Sequence, residues 1–178
     1  PPSGRMFYVR YLSLRRVELA GALQCSLSLV FLGRVSTDGF GLLGHPAFGD
    51  DRALPGCLAR LGPQRCVVVT QQKGRNTKGN VMRNFGSAYP EGYRKALRIM
   101  RLGEKFQLPV IALIDTPGAY PGIGSEERHI AEAIAVNPRE WMVLRVPIIA
   151  CPIGEGGSAG APGLPFAAPA PLPGDPPP

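Results

Sequence analysis

From Cys66 onward, short β-branched runs alternate with helix-period stretches, the pattern of strands joined by crossover helices. Cys66-Val67-Val68-Val69-Thr70 reads as a buried strand. Pro90 to Gln107 then reads as a helix that places Tyr93, Ala96, Leu97, Met100 and Gly103 on one face. Pro109 opens a second strand reaching Asp115, at the first position, where a missing N–H matters least. Ser125 is expected to cap a further helix with Glu126 and Glu127 in its first turn, where the helix dipole favours acids. Pro138 is expected to break or kink that helix after Asn137, because it lacks a backbone donor. Val146 to Cys151 forms a third strand that runs into Gly154-Glu155-Gly156-Gly157-Ser158-Ala159-Gly160. These elements predict an α/β fold whose parallel core lies between Cys66 and Gly160.

Composition alters this picture mainly at the ends. Glycine (23) and proline (20) make up 43 of 178 residues, which excludes an all-helical bundle. Eight of those prolines follow Gly160, so residues 161–178 are expected to be a disordered Pro-rich tail. Residues 1–45 carry no assignable pattern, and the chain opens Pro1-Pro2-Ser3 without Met, as a fragment would. A partial domain is therefore expected over residues 46–160. The apolar run from Leu19 to Leu32 is interrupted by Gln24, Ser26 and Ser28 and is shorter than the ~20 apolar residues a membrane helix needs. Arg10, Arg15 and Arg16 imitate a targeting leader without its small-residue cleavage pattern, so a cytoplasmic location is expected, or a plastid one for a plant protein. Cys25, Cys57, Cys66 and Cys151 form no CxxC pair and have no His at ligand spacing, which points to reduced thiols rather than zinc or a disulfide framework.

Charge is uneven. Residues 65 to 105 hold ten Lys/Arg against Glu91 and Glu104, a local +8, whereas residues 106 to 160 hold six acids against three Arg, a local −3. The basic segment reads equally as a solvated face or as a surface for phosphates or an acidic protein. Phe85 is the one aromatic interleaved with Lys73, Arg75, Lys78 and Arg83, so no stacking platform for nucleic acid is indicated.

The glycine run fits several templates that its context rejects. As G-x-G-x-x-A it lacks the acid of a dinucleotide site, since Asp175 falls inside the proline tail. As G-x-S-x-G around Ser158 it lacks a following histidine, because His45 and His129 both precede it. Asp115-Thr116-Pro117-Gly118 resembles the magnesium-side turn of a GTPase, yet Gly74 to Asn80 lacks the G-K-[ST] ending of a phosphate loop. What remains is a pair of glycine turns at the ends of successive strands, whose N–H groups are suited to a developing oxyanion. The plainer reading, tight strand-to-helix turns and nothing more, stays open on spacing alone.

Longer motifs are more specific. Gln72 to Lys78 (QKGRNTK), Arg83-Asn84-Phe85-Gly86, Pro90 to Arg98 (PEGYRKALR), Ile114 to Gly122 (IDTPGAYPG), Glu126-Glu127-Arg128, Glu132 to Ala135 and Ile153 to Ser158 (IGEGGS) follow one another over Gln64 to Gly160, with a weaker echo in Gly49 to Ala53. In this order they resemble the carboxyltransferase α subunit of multisubunit acetyl-CoA carboxylase. The resemblance implies a crotonase-type fold and transfer of a carboxyl group from carboxybiotin, tethered to a biotin carboxyl carrier protein, to acetyl-CoA, giving malonyl-CoA for fatty acid synthesis. It also implies a β subunit and biotin carboxylase as partners, with neither metal in this chain nor a membrane or nucleic acid partner. Carried over, Gly156 and Gly157 would be backbone oxyanion donors, Gly118-Ala119-Tyr120 the facing wall, and Lys73 and Arg75 substrate-binding cations. His129-Ile130 stands where the family usually has Gly-Gln, and Ala159 replaces a glycine. The proline tail replaces the family's further helix and strands, so the alternative is a truncated, non-catalytic relic.

Overall fold

The computed structural model describes residues 38–42, 49–157 and Gly163. Among them a five-stranded sheet runs in the order β1 (Asp38–Leu42), β2 (Gly56–Leu61), β3 (Gln64–Thr70), β4 (Val110–Thr116) and β5 (Ile148–Gly156). Strands β3, β4 and β5 are parallel, as the alternation predicts, while β1 and β2 extend the sheet in antiparallel fashion. The β2–β3 hairpin was not anticipated: Leu61 pairs with Gln64 across a turn in which Gly62 takes φ 59°. That left-handed conformation suits glycine.

The helix α1 (Thr77–Met82) and a 3₁₀ turn (Asn84–Gly86) follow β3, then α2 (Pro90–Lys105) crosses to β4. Pro90 begins α2, Glu91 lies in its first turn and Lys105 in its last, each where the open backbone groups and the dipole favour it. The predicted face of α2 is buried, with Tyr93, Ala96 and Met100 sealed against Val67, Val69, Val110 and Ile114. Gly103 lets this helix lie close, since a Cβ there would stand 3.1 Å from Val67 and 3.2 Å from Val110. On the other face of the sheet Cys66, Val68, Leu113 and Ile153 form a second cluster. Burial on both faces explains why these strands read as continuous apolar runs rather than alternating ones. Cys57 and Cys66 are buried free thiols and Cys151 is partly buried and free; burial, with Cys66 beside it, pushes the Cys57 thiol up to about 11.

Between β4 and β5 lie α3 (Ile123–Glu126) and α4 (Ile130–Trp141), and here two expectations fail. Ser125 is not a cap: it is buried inside α3, whose N-cap is Gly122, and Gly122 O accepts the Ser125 N–H at 2.8 Å. The break falls at His129, in the left-handed region at φ 60°, rather than at Pro138. Pro138 sits inside α4, where the helix survives because its neighbours are anchored. Asn137 Nδ2 donates to Tyr93 O at 3.0 Å and to Gly163 O at 2.6 Å, and Trp141 is buried in the core. The segment after β3, for which the sequence pattern predicts no element, holds α1 because Asn76 Oδ1 caps it, accepting Gly79 N–H at 2.8 Å. Residues 1–37, 43–48, 158–162 and 164–178, with the calls made on them, among them nearly all of the 161–178 tail, lie outside the described residues.

Candidate functional site

The carboxyl ends of β3, β4 and β5 converge. Thr116, the last residue of β4, places Oγ1 2.8 Å from Gly86 O and accepts the Gly118 N–H there at 3.1 Å. Its carbonyl accepts the Gly157 N–H at 2.8 Å, and a Cβ on Gly157 would stand 2.0 Å from Pro117 O. The two glycine segments singled out in the sequence are thus in direct contact, although Gly154 and Gly156 continue β5 as strand where a turn was expected, and only glycine permits the approach at position 157.

The donor assignment needs correction. The Gly157 N–H is spent on Thr116, so it is not available to an oxyanion in this conformation. Gly156 pairs with Thr116 in the parallel ladder, in which alternate residues of a strand turn their N–H groups to opposite sides. Since Gly157 points to β4, Gly156 points to the open edge of β5, the last strand of the described sheet. Of the facing wall, Gly118 has nothing among the described residues within 4 Å of the place a Cβ would occupy, while Tyr120 is fixed by its N–H donating to Ala88 O at 3.1 Å. Ala119 is partly buried against the helix-covered core. Ser158 and the helix expected after it lie outside the described residues.

Of the two cations, the structure brings Lys73 to the site and leaves Arg75 exposed. Lys73 Nζ lies 2.8 Å from Asp115 Oδ1 and 2.7 Å from Glu155 Oε2. Burial pulls the Lys73 ammonium down, but its bonds to the two carboxylates outweigh this and hold it above the ordinary lysine value. The same contact holds the Glu155 carboxyl below its ordinary value. Lys73 is therefore neutralised from within the fold rather than offered to solvent as a free phosphate ligand.

A second group of residues escaped the sequence reading. Asp51 is buried, and its Oδ1 accepts the Ala53 N–H at 2.8 Å while Oδ2 accepts the Tyr89 N–H at 2.7 Å. Burial raises the Asp51 carboxyl above its ordinary value against the pull of those two bonds. Lys95, 1% exposed, donates to Asp50 Oδ1 at 2.5 Å and to Asp51 O at 2.7 Å. Tyr89, anchored in this way, packs its ring 4.5 Å from that of Tyr120, and Arg128 lies 5.3 Å over Tyr89 while pairing with Glu91. Asp51 therefore holds the residue on which the wall residue Tyr120 rests. The available signal was the short echo Gly49 to Ala53, which carries the aspartate and one partner, Ala53, but neither Tyr89 nor Lys95.

Among the described residues no group of three or more His, Cys, Asp or Glu is placed to hold a metal, and no helix is long and apolar enough to cross a membrane. A family described as acetyl co-enzyme A carboxylase carboxyltransferase-like matches residues 4–169. The acetyl-coenzyme A carboxylase carboxyl transferase subunit alpha of Dichelobacter nodosus is 56% identical over 134 residues, 75% of this chain and 42% of that protein. The protein of the same name from Geobacter sulfurreducens is 52% identical over 160 residues, 88% of this chain and 50% of its own length. The chain thus spans about half or less of the curated relatives it matches. Among solved structures, the P. aeruginosa geranyl-CoA carboxylase beta subunit superposes with a TM-score of 0.63 at 18% identity, covering 91% of this chain and 29% of that one. Transcarboxylase 12S gives 0.53 at 18%, covering 84% and 24%. At that identity these two show the fold, which is the crotonase type expected from the sequence.

Proposed function

The chain belongs to the acetyl-CoA carboxylase carboxyltransferase family, and on that premise we propose that it is the site-bearing part of a carboxyltransferase α subunit. In this reading the subunit moves the carboxyl group from carboxybiotin on a carrier protein to acetyl-CoA, giving malonyl-CoA. The observation that carries the reading is the contact of Gly157 with Thr116 and Pro117, at the start of the Gly118 segment. The motifs shared with the family come together in space at the strand ends, where open α/β sheets place their sites.

The residues present fit the biotin ureido group. Gly156 turns a backbone N–H to the edge of β5 that is open among the described residues, and Gly118 leaves the facing side clear of described side-chain atoms. A fixed N–H aimed at a carbonyl that gains negative charge stabilises it without reorganisation, and loss of one such donor costs about 10²- to 10³-fold in turnover. Carboxybiotin, delivered on its carrier, supplies the carboxyl group and the ureido base. This chain's part would be to bind and orient it: Gly156 would offer its N–H to the carbonyl, and Tyr120, packed at a tilt on Tyr89, would close the wall. The β subunit completes the site, biotin carboxylase recharges the carrier, and the assembly works in the cytoplasm.

The test is malonyl-CoA formation from carboxybiotin and acetyl-CoA by the full-length subunit, with and without its β partner. Turnover is expected only when both are present. Turnover by the isolated chain would overturn the shared-site reading, and none in the reconstituted complex would favour the non-catalytic relic.

A further inference from the structure

At the end of the sheet, β4 and β5 fall out of step. Ile114 pairs with Pro152 and Thr116 with Gly156, so two steps along β4 are matched by four along β5. The surplus forms a bulge, a device that ends pairing and re-aims the residues beyond it. Pro152 has no N–H to give the ladder. The Asp115 carboxylate fills the gap, since Oδ1 accepts the Glu155 N–H at 3.1 Å. The strand passes this carboxylate only because residue 154 is glycine: a Cβ there would stand 2.3 Å from Asp115 Oδ1.

Lys73 closes the arrangement from a third direction. Its Nζ reaches the same Oδ1 at 2.8 Å and Glu155 Oε2 at 2.7 Å, and its stem runs under Gly86, where a Cβ would stand 2.8 Å from Lys73 Cγ. One ammonium therefore ties the segment after β3, the end of β4 and the bulge of β5, and the next two residues are Gly156 and Gly157. Asp115 is buried, so its charge needs a counter-ion, whereas Glu155, with its side chain 65% exposed, is the weaker of the two partners.

We propose that Lys73 is a positioning residue that acts through Asp115 and Glu155 to fix the β5 bulge, and so sets the Gly156-Gly157 pair against Pro117-Gly118, in place of the substrate-cation role the resemblance implies. The kinetic half of the test rests on the carboxyltransferase reading; the structural half does not.

The structural half is amide hydrogen exchange on the full-length chain, comparing wild type with Lys73→Met, Lys73→Arg, Glu155→Gln and the double variant Lys73→Met/Glu155→Gln. Lys73→Met is expected to speed exchange in the peptide 153–157 by about tenfold or more and leave the β2–β3 hairpin unchanged, because removing one member of a buried pair leaves the other charge unbalanced. Lys73→Arg should restore most of the protection, Glu155→Gln should have a small effect, and the double variant should match Lys73→Met alone. In the complex with the β partner, kcat should fall for Lys73→Met while KM for acetyl-CoA stays within about twofold. A rise in KM with kcat and exchange unchanged would overturn the proposal in favour of phosphate binding, and unchanged exchange in 153–157 would overturn it whatever the kinetics. If Lys73→Met does not fold, Lys73→Gln is measured on the same terms. A wild-type complex that makes no malonyl-CoA removes the carboxyltransferase reading and leaves the exchange result to decide the positioning role.

Discussion

Replacing Asp51 by alanine should destabilise the fold by about 2 to 4 kcal/mol, because a buried or half-buried N–H left without a partner costs about 1–3 kcal/mol and relief of the buried charge offsets part of the sum. Two such donors depend on this carboxylate, Ala53 N–H at 2.8 Å and Tyr89 N–H at 2.7 Å. Lys95, buried nearby, keeps its bonds to Asp50 Oδ1 and to Asp51 O, neither of which uses the Asp51 side chain. Asparagine separates the contributions: its one amide oxygen satisfies one donor, its NH₂ faces the other, and the buried charge is gone. Since burial raises the Asp51 carboxyl, relief of that charge offsets part of the loss, and Asp51→Asn should cost only about 1 kcal/mol. The pH dependence has a definite sign. A carboxyl raised on folding binds its proton more tightly in the native state, so between its ordinary value of 3.8 and the raised one, stability from this group grows as pH falls and is lost as pH rises. The gap between wild type and Asp51→Asn should therefore widen on acidification through that interval. Urea unfolding of the three proteins at several pH values measures all of this. Equal costs for Ala and Asn, or a gap that narrows on acidification, would refute the argument.

Two further substitutions test other parts of the structure. His129→Gly should raise stability by about 0.5–1 kcal/mol, near 2 °C in Tm, because a side chain at φ 60° costs about 1–2 kcal/mol and the added freedom of the unfolded glycine returns only part of it; a fall in Tm on thermal unfolding would contradict this. Gly157→Pro should lower malonyl-CoA formation by about 10²-fold or more while Ser158→Ala changes it little, since proline removes the bond to Thr116 O and the turn that places the Gly156 donor; circular dichroism and complex formation serve as folding controls, and loss with Ser158→Ala alone would reopen the nucleophile reading.

Much of the frame was legible because it depends on local pattern. The strands around Val68, Ala112 and Ala150 are apolar on both faces, and α2 repeats its buried positions at helical spacing, so each can be read from a short window. The misreadings arose where a distant contact overrides local propensity. Serine is a good cap, yet Ser125 is buried within its helix. Proline breaks helices, yet Pro138 is held by Asn137 reaching back to Tyr93, 44 residues away in sequence.

The site shows the same division more sharply. Position in the sequence located both glycine turns, but whether a given N–H is free depends on how the neighbouring strand meets it. Gly157 gives its donor to Thr116 because a bulge, held by Asp115, shifts β5 by two residues just before it. Without that shift, Gly154 rather than Gly156 would stand opposite Thr116, and the glycine pair would lie beyond the end of β4. The identity of the exposed donor is therefore fixed less by the glycines than by the carboxylate inserted into the ladder and the lysine that balances it. A glycine motif specifies where backbone can approach; the bulge determines which amide is left to act.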